Sequence, residues 1–236
     1  MIRDPILLAW SSGKDSAFAL HVLRGMEDVE VVGLLTTVND RHDRVAMHAV
    51  RRTLLDAQAE AAGLPLKIVR IPDPCPDVAY EAAMGRALEE ARGRGVRGVA
   101  FGDLFLEDIR RYREAQMAGT GLRLVFPLWG RPTRALAQAM LDAGLRARIT
   151  CVDPRALAAS FAGREFDRQL LADLPPGVDP CGENGEFHTF AWDGPMFRRP
   201  VAVRGGPVVE RDGFVFADLL PVENGVSPDA AMRAAT

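Results

Sequence analysis

Pro5-Ile-Leu-Leu-Ala-Trp-Ser-Ser-Gly-Lys-Asp-Ser-Ala-Phe-Ala-Leu20 runs from an unbroken apolar stretch, through a polar turn, into a helical pattern. The apolar run predicts a buried strand over 5–10, and the spacing after the turn predicts a helix over 16–24. Between them, Ser11-Ser-Gly-Lys-Asp-Ser16 combines three features suited to an anion. Glycine and serine let backbone N–H groups face inward, the helix start adds positive potential, and lysine adds a point charge. Lysine is scarce here: of 29 basic residues only Lys14 and Lys67 are not arginine. The turn is not the P-loop of kinases and GTPases, which sets four residues between a glycine and its Gly-Lys pair. The plainer reading is a polar turn in which Asp15 or Ser16 caps the helix.

Strand and helix patterns continue to alternate beyond this stretch. Strands are predicted over 30–37, 66–71, 96–102 and 123–126, and helices over about 47–62, 78–94 and 108–118. Gly63 and Pro65 end the first of these helices. Such alternation predicts an α/β fold, a doubly wound parallel sheet of five strands with helices on both faces. With right-handed crossovers, ligands bind at the carboxyl ends of strands where their order reverses. A reversal between the first and fourth strands would set the Ser11–Ser16 turn and Gly102-Asp103 on one cleft. After Pro127-Leu-Trp-Gly130 the texture changes to a helix over 133–143, a strand over 147–152 and helical patterns over 155–174. Strands follow over 186–192, 201–204, 208–210 and 214–220. The expected division is an α/β domain over 1–128, a smaller α+β domain over 129–222, and a disordered tail over 223–236.

Across 236 residues the hydrophobic share is 48%, the charged share 26% and the net charge −3. Those are the totals of a soluble globular protein, and the slight acidity argues against nucleic acid as partner. Three widely spaced cysteines give neither a disulfide framework nor a zinc motif, which points to a reducing cytoplasm. No leader is expected from the residues at the N-terminus, and no apolar run approaches the length that spans a bilayer.

Three further clusters carry chemistry-bearing side chains. Thr36-Thr37-Val-Asn39 closes the second strand, where hydroxyls can meet an adenine or ribose edge; a plain strand end is the alternative. His42 and His48 follow in Arg41-His-Asp-Arg-Val-Ala-Met-His48, where an exposed connection is the plainer reading for His42, and His48, at a helix start close to the same strand end, is the nucleotide-site candidate. Gly102-Asp103, Glu107, Arg113 and Glu114 are dense in charge just outside the fourth strand, where carboxylates suit Mg²⁺ and arginines suit a phosphate or carboxylate. Part of that run is an ordinary solvated helix face. In Asp179-Pro-Cys-Gly-Glu-Asn-Gly-Glu-Phe-His-Thr189, Glu183, Asn184, Glu186 and His188 are candidates for a loop that enters a substrate cleft. Their spacing together with Cys181 fits no standard zinc pattern.

Taken together, Ser12-Gly-Lys-Asp-Ser16, Gly102-Asp103 with Arg113-Glu114, and Cys181-Gly-Glu-Asn-Gly-Glu186 resemble the diphthine–ammonia ligase-related family of PP-loop ATP pyrophosphatases, within the adenine nucleotide alpha hydrolase-like superfamily. The likeness covers about residues 5–220. Ser12 stands where the loop pattern Ser-Gly-Gly-x-Asp-Ser has its first glycine, and Asn184 where the last motif has another. The common Ser-Asp pair after the fourth strand reads Leu106-Glu107. The resemblance implies a nucleotide-binding α/β domain and a second domain on the substrate side. It also implies ATP and ammonia as substrates, with AMP and pyrophosphate as products. The best-known members amidate diphthine, a modified histidine of the translocating elongation factor, so a carboxylate carried on such a protein is the expected partner.

On this reading Ser11, Ser12, Gly13, Lys14, Asp15 and Ser16 hold the pyrophosphate, with Thr36, Thr37, His48, Gly102 and Asp103 completing the nucleotide site. Asp15 is the candidate Mg²⁺ ligand. Lys14, Asp15, Glu183, Glu186 and His188 are the candidate catalytic residues, and Glu107, Arg113, Glu114 and Asn184 the candidate substrate contacts. The chemistry expected is amide ligation through an acyl-adenylate, with free ammonia as nitrogen source. Replacing Lys14 is expected to remove pyrophosphate release without touching the fold. A PP-loop tRNA-modifying enzyme and a nucleotide-binding protein without turnover are the alternatives. A homodimer is compatible with all three.

Overall fold

A computed structural model describes residues 3–40, 44–45 and 50–222. Strand β1 (Asp4–Ala9) carries Ile6 and Leu8 toward one face and Leu7 toward the other, and all three are buried. A strand covered on both faces is apolar at every position rather than at alternate ones, which is why this run reads continuously. The first sheet orders its parallel strands β4 (Leu66–Ile71), β2 (Val29–Asn39), β1, β5 (Gly98–Ala100), β6 (Arg123–Val125). The order therefore reverses between β1 and β5, the case in which the sequence reading set the Ser11–Ser16 turn and Gly102-Asp103 on one cleft.

A short strand β3 (Arg44–Val45) pairs antiparallel with the end of β2, through Val38 and Asn39. It was not expected, because two residues give no periodicity to detect. Helices α1 (Lys14–Arg24) and α2 (Arg52–Ala62) lie on one face of the sheet, and α3 (Asp77–Gly93) and α4 (Glu107–Met117) on the other. Helix α2 starts later than the pattern suggested, since Val50 and Arg51 precede it and Arg51 is extended at ψ 141°. His42, His48 and the tail over 223–236 lie outside the described residues.

The second sheet is antiparallel, in the order β8 (Phe187–Asp193), β7 (Arg146–Val152), β10 (Phe214–Pro221), β9 (Val203–Arg211). The two short runs expected at 201–204 and 208–210 are one strand, β9. It turns into β10 through Asp212 and Gly213, both at positive φ, the dipeptide that suits a tight hairpin. The helical pattern over 155–174 reduces to a 3₁₀ turn at Ala159–Phe161 and the six-residue α6 (Arg168–Asp173). Between them Gly163, at φ +83°, reverses the chain and 164–166 hydrogen-bond along β7, so backbone pairing overrides the helical spacing. Helix α5 (Thr133–Asp142) joins the sheets.

One apolar cluster runs from α1 and α2 through α5 into β7, β8 and β10, and a second sits under α3 and α4. Among the described residues no helix is long and apolar enough to cross a membrane.

Candidate active site

The turn between β1 and α1 opens into a cavity of about 480 Å³ at the point where the strand order reverses. The N-cap of α1 is Gly13, with no side-chain cap. The plainer capping role for Asp15 or Ser16 is therefore not what the turn does. Instead the Ser16 hydroxyl donates to Gly13 O at 3.0 Å and sits 3.1 Å from Ser11 Oγ, while Gly13 N donates to Ser11 Oγ at 3.3 Å. Ser12 holds φ at +71°, the left-handed region that costs a non-glycine residue free energy. Its buried hydroxyl has no partner. The glycine of the loop pattern thus has a physical reason here. At the end of β5, a Cβ on Gly102 would stand 3.1 Å from Ser16 N, so glycine lets the strand end approach the helix start.

Lys14 is 2% exposed, and its ammonium donates to Asp15 Oδ2 at 2.8 Å and to the carbonyl of Cys181. The faces of Phe166 and Phe187 lie 5.5 and 5.4 Å away. Burial acts to lower the lysine pKa, but Asp15 and then the groups around Cys181 and Glu183 outweigh it, and the net shift is upward. The ammonium stays charged. It therefore braces the two halves as well as lining the cavity, so its removal touches the fold.

Across the cavity, Leu104 N donates to Glu183 Oε1 at 2.7 Å. Burial, reinforced by the Asp15 and Asp103 carboxylates, pushes Glu183 up to about 7, against the opposing pull of the Leu104 amide and Lys14. Asp103 is also raised, by burial and Asp15, although Arg113 lies 3.5 Å away and acts to lower it. Three carboxylates and two cations thus face one partly enclosed space. The fit to a divalent cation rests on Asp15 Oδ1, which is buried without a hydrogen-bond partner, and on Asp103 Oδ2, buried with only the Arg113 guanidinium 3.5 Å away. Among the described residues no three His, Cys, Asp or Glu side chains gather as a metal site. A cation here would therefore take one or two carboxylates and the phosphates of its ligand, the usual habit of Mg²⁺.

The loop that carries Glu183 is held from within. Asp179 Oδ2 accepts from Cys181 N at 3.1 Å and from Glu183 N at 3.0 Å. Glu186 Oε1 accepts from Asp179 N at 2.9 Å and from Asn184 Nδ2 at 3.0 Å. At Gly182, with φ +68°, a Cβ would stand 2.7 Å from Phe187 O.

Of the expected site residues, the cavity is lined by Ser11, Lys14, Asp15, Ser16, Thr36, Thr37, Gly102, Asp103, Arg113, Glu183 and His188. Ser12 and Gly13 shape the turn from behind. Glu107 and Glu114 are exposed on α4, Glu114 being paired with Arg110 at 2.9 Å, and neither lines the cavity. Glu186 and Asn184 also stand off it, as braces of the 179–186 loop. An apolar arm of the cavity is formed by Leu35, Tyr80, Met84, Leu88, Phe101 and Ile109.

Three residues that sequence reasoning passed over hold the site together. Thr189 Oγ1 accepts from Lys14 N at 3.0 Å, Gln58 is wholly buried beside the turn, and Asp179 anchors the second loop. Gln58 had a signal, since it sits on the apolar face of α2 at helical spacing from Leu54, Leu55 and Ala61. A polar side chain at such a position is there to be hydrogen-bonded.

A family model described as the diphthamide synthase N-terminal domain matches residues 5–124, and one described as the diphthamide synthase C-terminal domain matches 132–218. Three relatives named diphthine–ammonia ligase illustrate the likeness along the chain. The one from Bos taurus is 28% identical over 92% of this chain and 92% of its own length. Those from Danio rerio and Homo sapiens are 29% and 28% identical over 88% of this chain, covering 89% and 85% of theirs.

Proposed function

The chain belongs to the diphthamide synthase family, and from that premise we propose that it is an ATP-dependent ligase that activates a carboxylate as an acyl-adenylate and amidates it with ammonia. The observation that carries the reading is the single cavity shared by the Ser11–Ser16 turn, the end of β5 and Glu183. The turn and the start of α1 take the outer two phosphates of ATP, with serine hydroxyls and first-turn N–H groups as donors. The adenine enters the apolar arm past Thr36 and Thr37, leaving the α-phosphate near Asp103 and Glu183.

The acceptor carboxylate attacks that phosphorus. An O–P bond forms, the bond to the bridging oxygen breaks, and the electron pair leaves with pyrophosphate. Backbone donors and the Lys14 charge stabilise the growing negative charge, which lowers the barrier. Asp15, with Asp103 beside it, would hold a Mg²⁺, whose contribution when bound is to neutralise phosphate charge. Glu183 takes the proton of an ammonium ion, for which a carboxylate poised at about 7 is suited. Ammonia then attacks the acyl carbon, the bond from that carbon to the AMP oxygen breaks with its electron pair leaving on AMP, and the proton shed by nitrogen passes to solvent. Arg113 and His188, on the cavity wall, orient the acceptor.

The test is exchange of labelled pyrophosphate into ATP without ammonia, over a panel of carboxylates that includes free amino acids, peptides and translation factors. A carboxylate that stimulates exchange, and is then converted to its amide on adding ammonium, is the expected result. Exchange stimulated by tRNA alone would favour the RNA-modifying reading. Bound nucleotide with no exchange under any condition would favour a protein without turnover.

A further inference from the structure

Gln58 is the best-connected buried polar side chain beside the turn, and it lies outside the cavity lining. Its Oε1 accepts from Trp10 Nε1 at 3.0 Å, and its Nε2 donates to Ser12 O at 2.9 Å and to Ala191 O at 2.5 Å. Ser12 O also accepts from Ala191 N at 3.0 Å. One carbonyl of the turn is therefore held by two donors, one from α2 and one from β8.

A trans peptide unit is planar, and its C=O and N–H point in opposite directions. Fixing Ser12 O toward Gln58 and Ala191 therefore fixes Gly13 N–H the other way, toward Ser11 Oγ on the cavity wall. The alternative orientation of this plane would take the N–H away from Ser11 Oγ and leave that cavity-wall hydroxyl without its backbone donor. The positive φ of Ser12 makes the arrangement one that local preference would not maintain unaided.

We propose that Gln58 is a positioning residue for the pyrophosphate cradle, which acts by holding the Ser12–Gly13 peptide so that its N–H supports the Ser11 hydroxyl on the cavity wall. It touches neither nucleotide nor acceptor. This inference rests on the phosphate-binding reading of the turn given above. Its range is narrow: the polyphosphate end of ATP depends on Gln58, and the nucleoside end does not.

The experiment is calorimetric titration of the full chain with magnesium pyrophosphate and, separately, with AMP, for the native protein and Gln58→Met. Misplacing the Ser11 hydroxyl, and so losing one hydrogen bond to a charged phosphate, predicts pyrophosphate binding weakened about 10- to 100-fold, with AMP affinity unchanged. Equal weakening of both ligands would mark Gln58 as a general packing residue and overturn the proposal, as would unchanged pyrophosphate affinity. An amide NMR titration of the native protein removes dependence on how the variant folds. The Gly13 resonance is expected to move on adding pyrophosphate, and a static Gly13 signal amid shifting neighbours in the turn overturns the proposal. If the native protein binds AMP but no pyrophosphate, the phosphate-binding reading itself fails and takes this inference with it.

Discussion

Glu183→Gln isolates the charge of a single carboxyl from its shape. The amide keeps the oxygen that accepts from Leu104 N, so the loop retains its contact. What changes is ionisation. Glu183 sits at about 7 against an ordinary 4.5, so the folded state binds a proton more tightly than the unfolded chain. For an acid shifted upward, folding stability falls as pH rises from about 4.5 to about 7, and the whole cost is present above 7. A shift of about 2.5 units corresponds to roughly 3 kcal/mol. Partial solvent contact of the side chain discounts this to about 1–3 kcal/mol.

Urea unfolding of both proteins at pH 5 and pH 8, without nucleotide, reads the difference. The variant is expected to gain about 1–3 kcal/mol over the native protein at pH 8, and much less at pH 5. Its amide-forming rate should lose the limb that rises through about pH 7 in the native enzyme, together with most of its magnitude. A stability difference of equal size at both pH values would show that this carboxyl is not perturbed, and the proton-accepting role would go with it.

Ser12→Gly removes a left-handed serine and its unpartnered hydroxyl, and should stabilise the fold by about 1 kcal/mol, read as a higher Tm; a lower Tm refutes the strain argument. Gly182→Ala adds a Cβ 2.7 Å from Phe187 O at φ +68°, and should cost about 2–3 kcal/mol in denaturant unfolding while lowering turnover through Glu183. Lys14→Met should abolish pyrophosphate exchange and also destabilise by about 2–4 kcal/mol, since it strips the donor from Cys181 O and the counter-charge from Asp15. Unaltered thermal unfolding of that variant would show that the brace is idle.

The parallel sheet was legible because its strands are covered on both faces and separated by helices, so each appears as an isolated apolar run. The strand order was not legible, because nothing local to a strand says which neighbour it pairs with; only the consequence of one placement of the reversal could be drawn. The second sheet was less legible. The segment over 155–174 has helical spacing, yet its middle pairs with β7, a choice made by a strand that happens to lie alongside. Residues at the cavity were found where charge gathers next to a strand end, as with Asp103 and Glu183. The α4 carboxylates Glu107 and Glu114 show the cost of that rule, because helix phase turns them to solvent. Gln58 and Asp179 were missed for the opposite reason: they act on main-chain groups, and nothing in their own neighbourhood of sequence announces which ones.

The tie between Ser12 and β8 limits how freely the two halves of such proteins can be recombined. The main-chain donor at Ala191 would survive any replacement except proline, whereas the acceptor at Thr189 needs a hydroxyl. A chimera built by splicing a relative's C-terminal half onto this N-terminal half would therefore keep or lose the shape of the Ser11–Ser16 turn according to two positions more than 170 residues downstream of it.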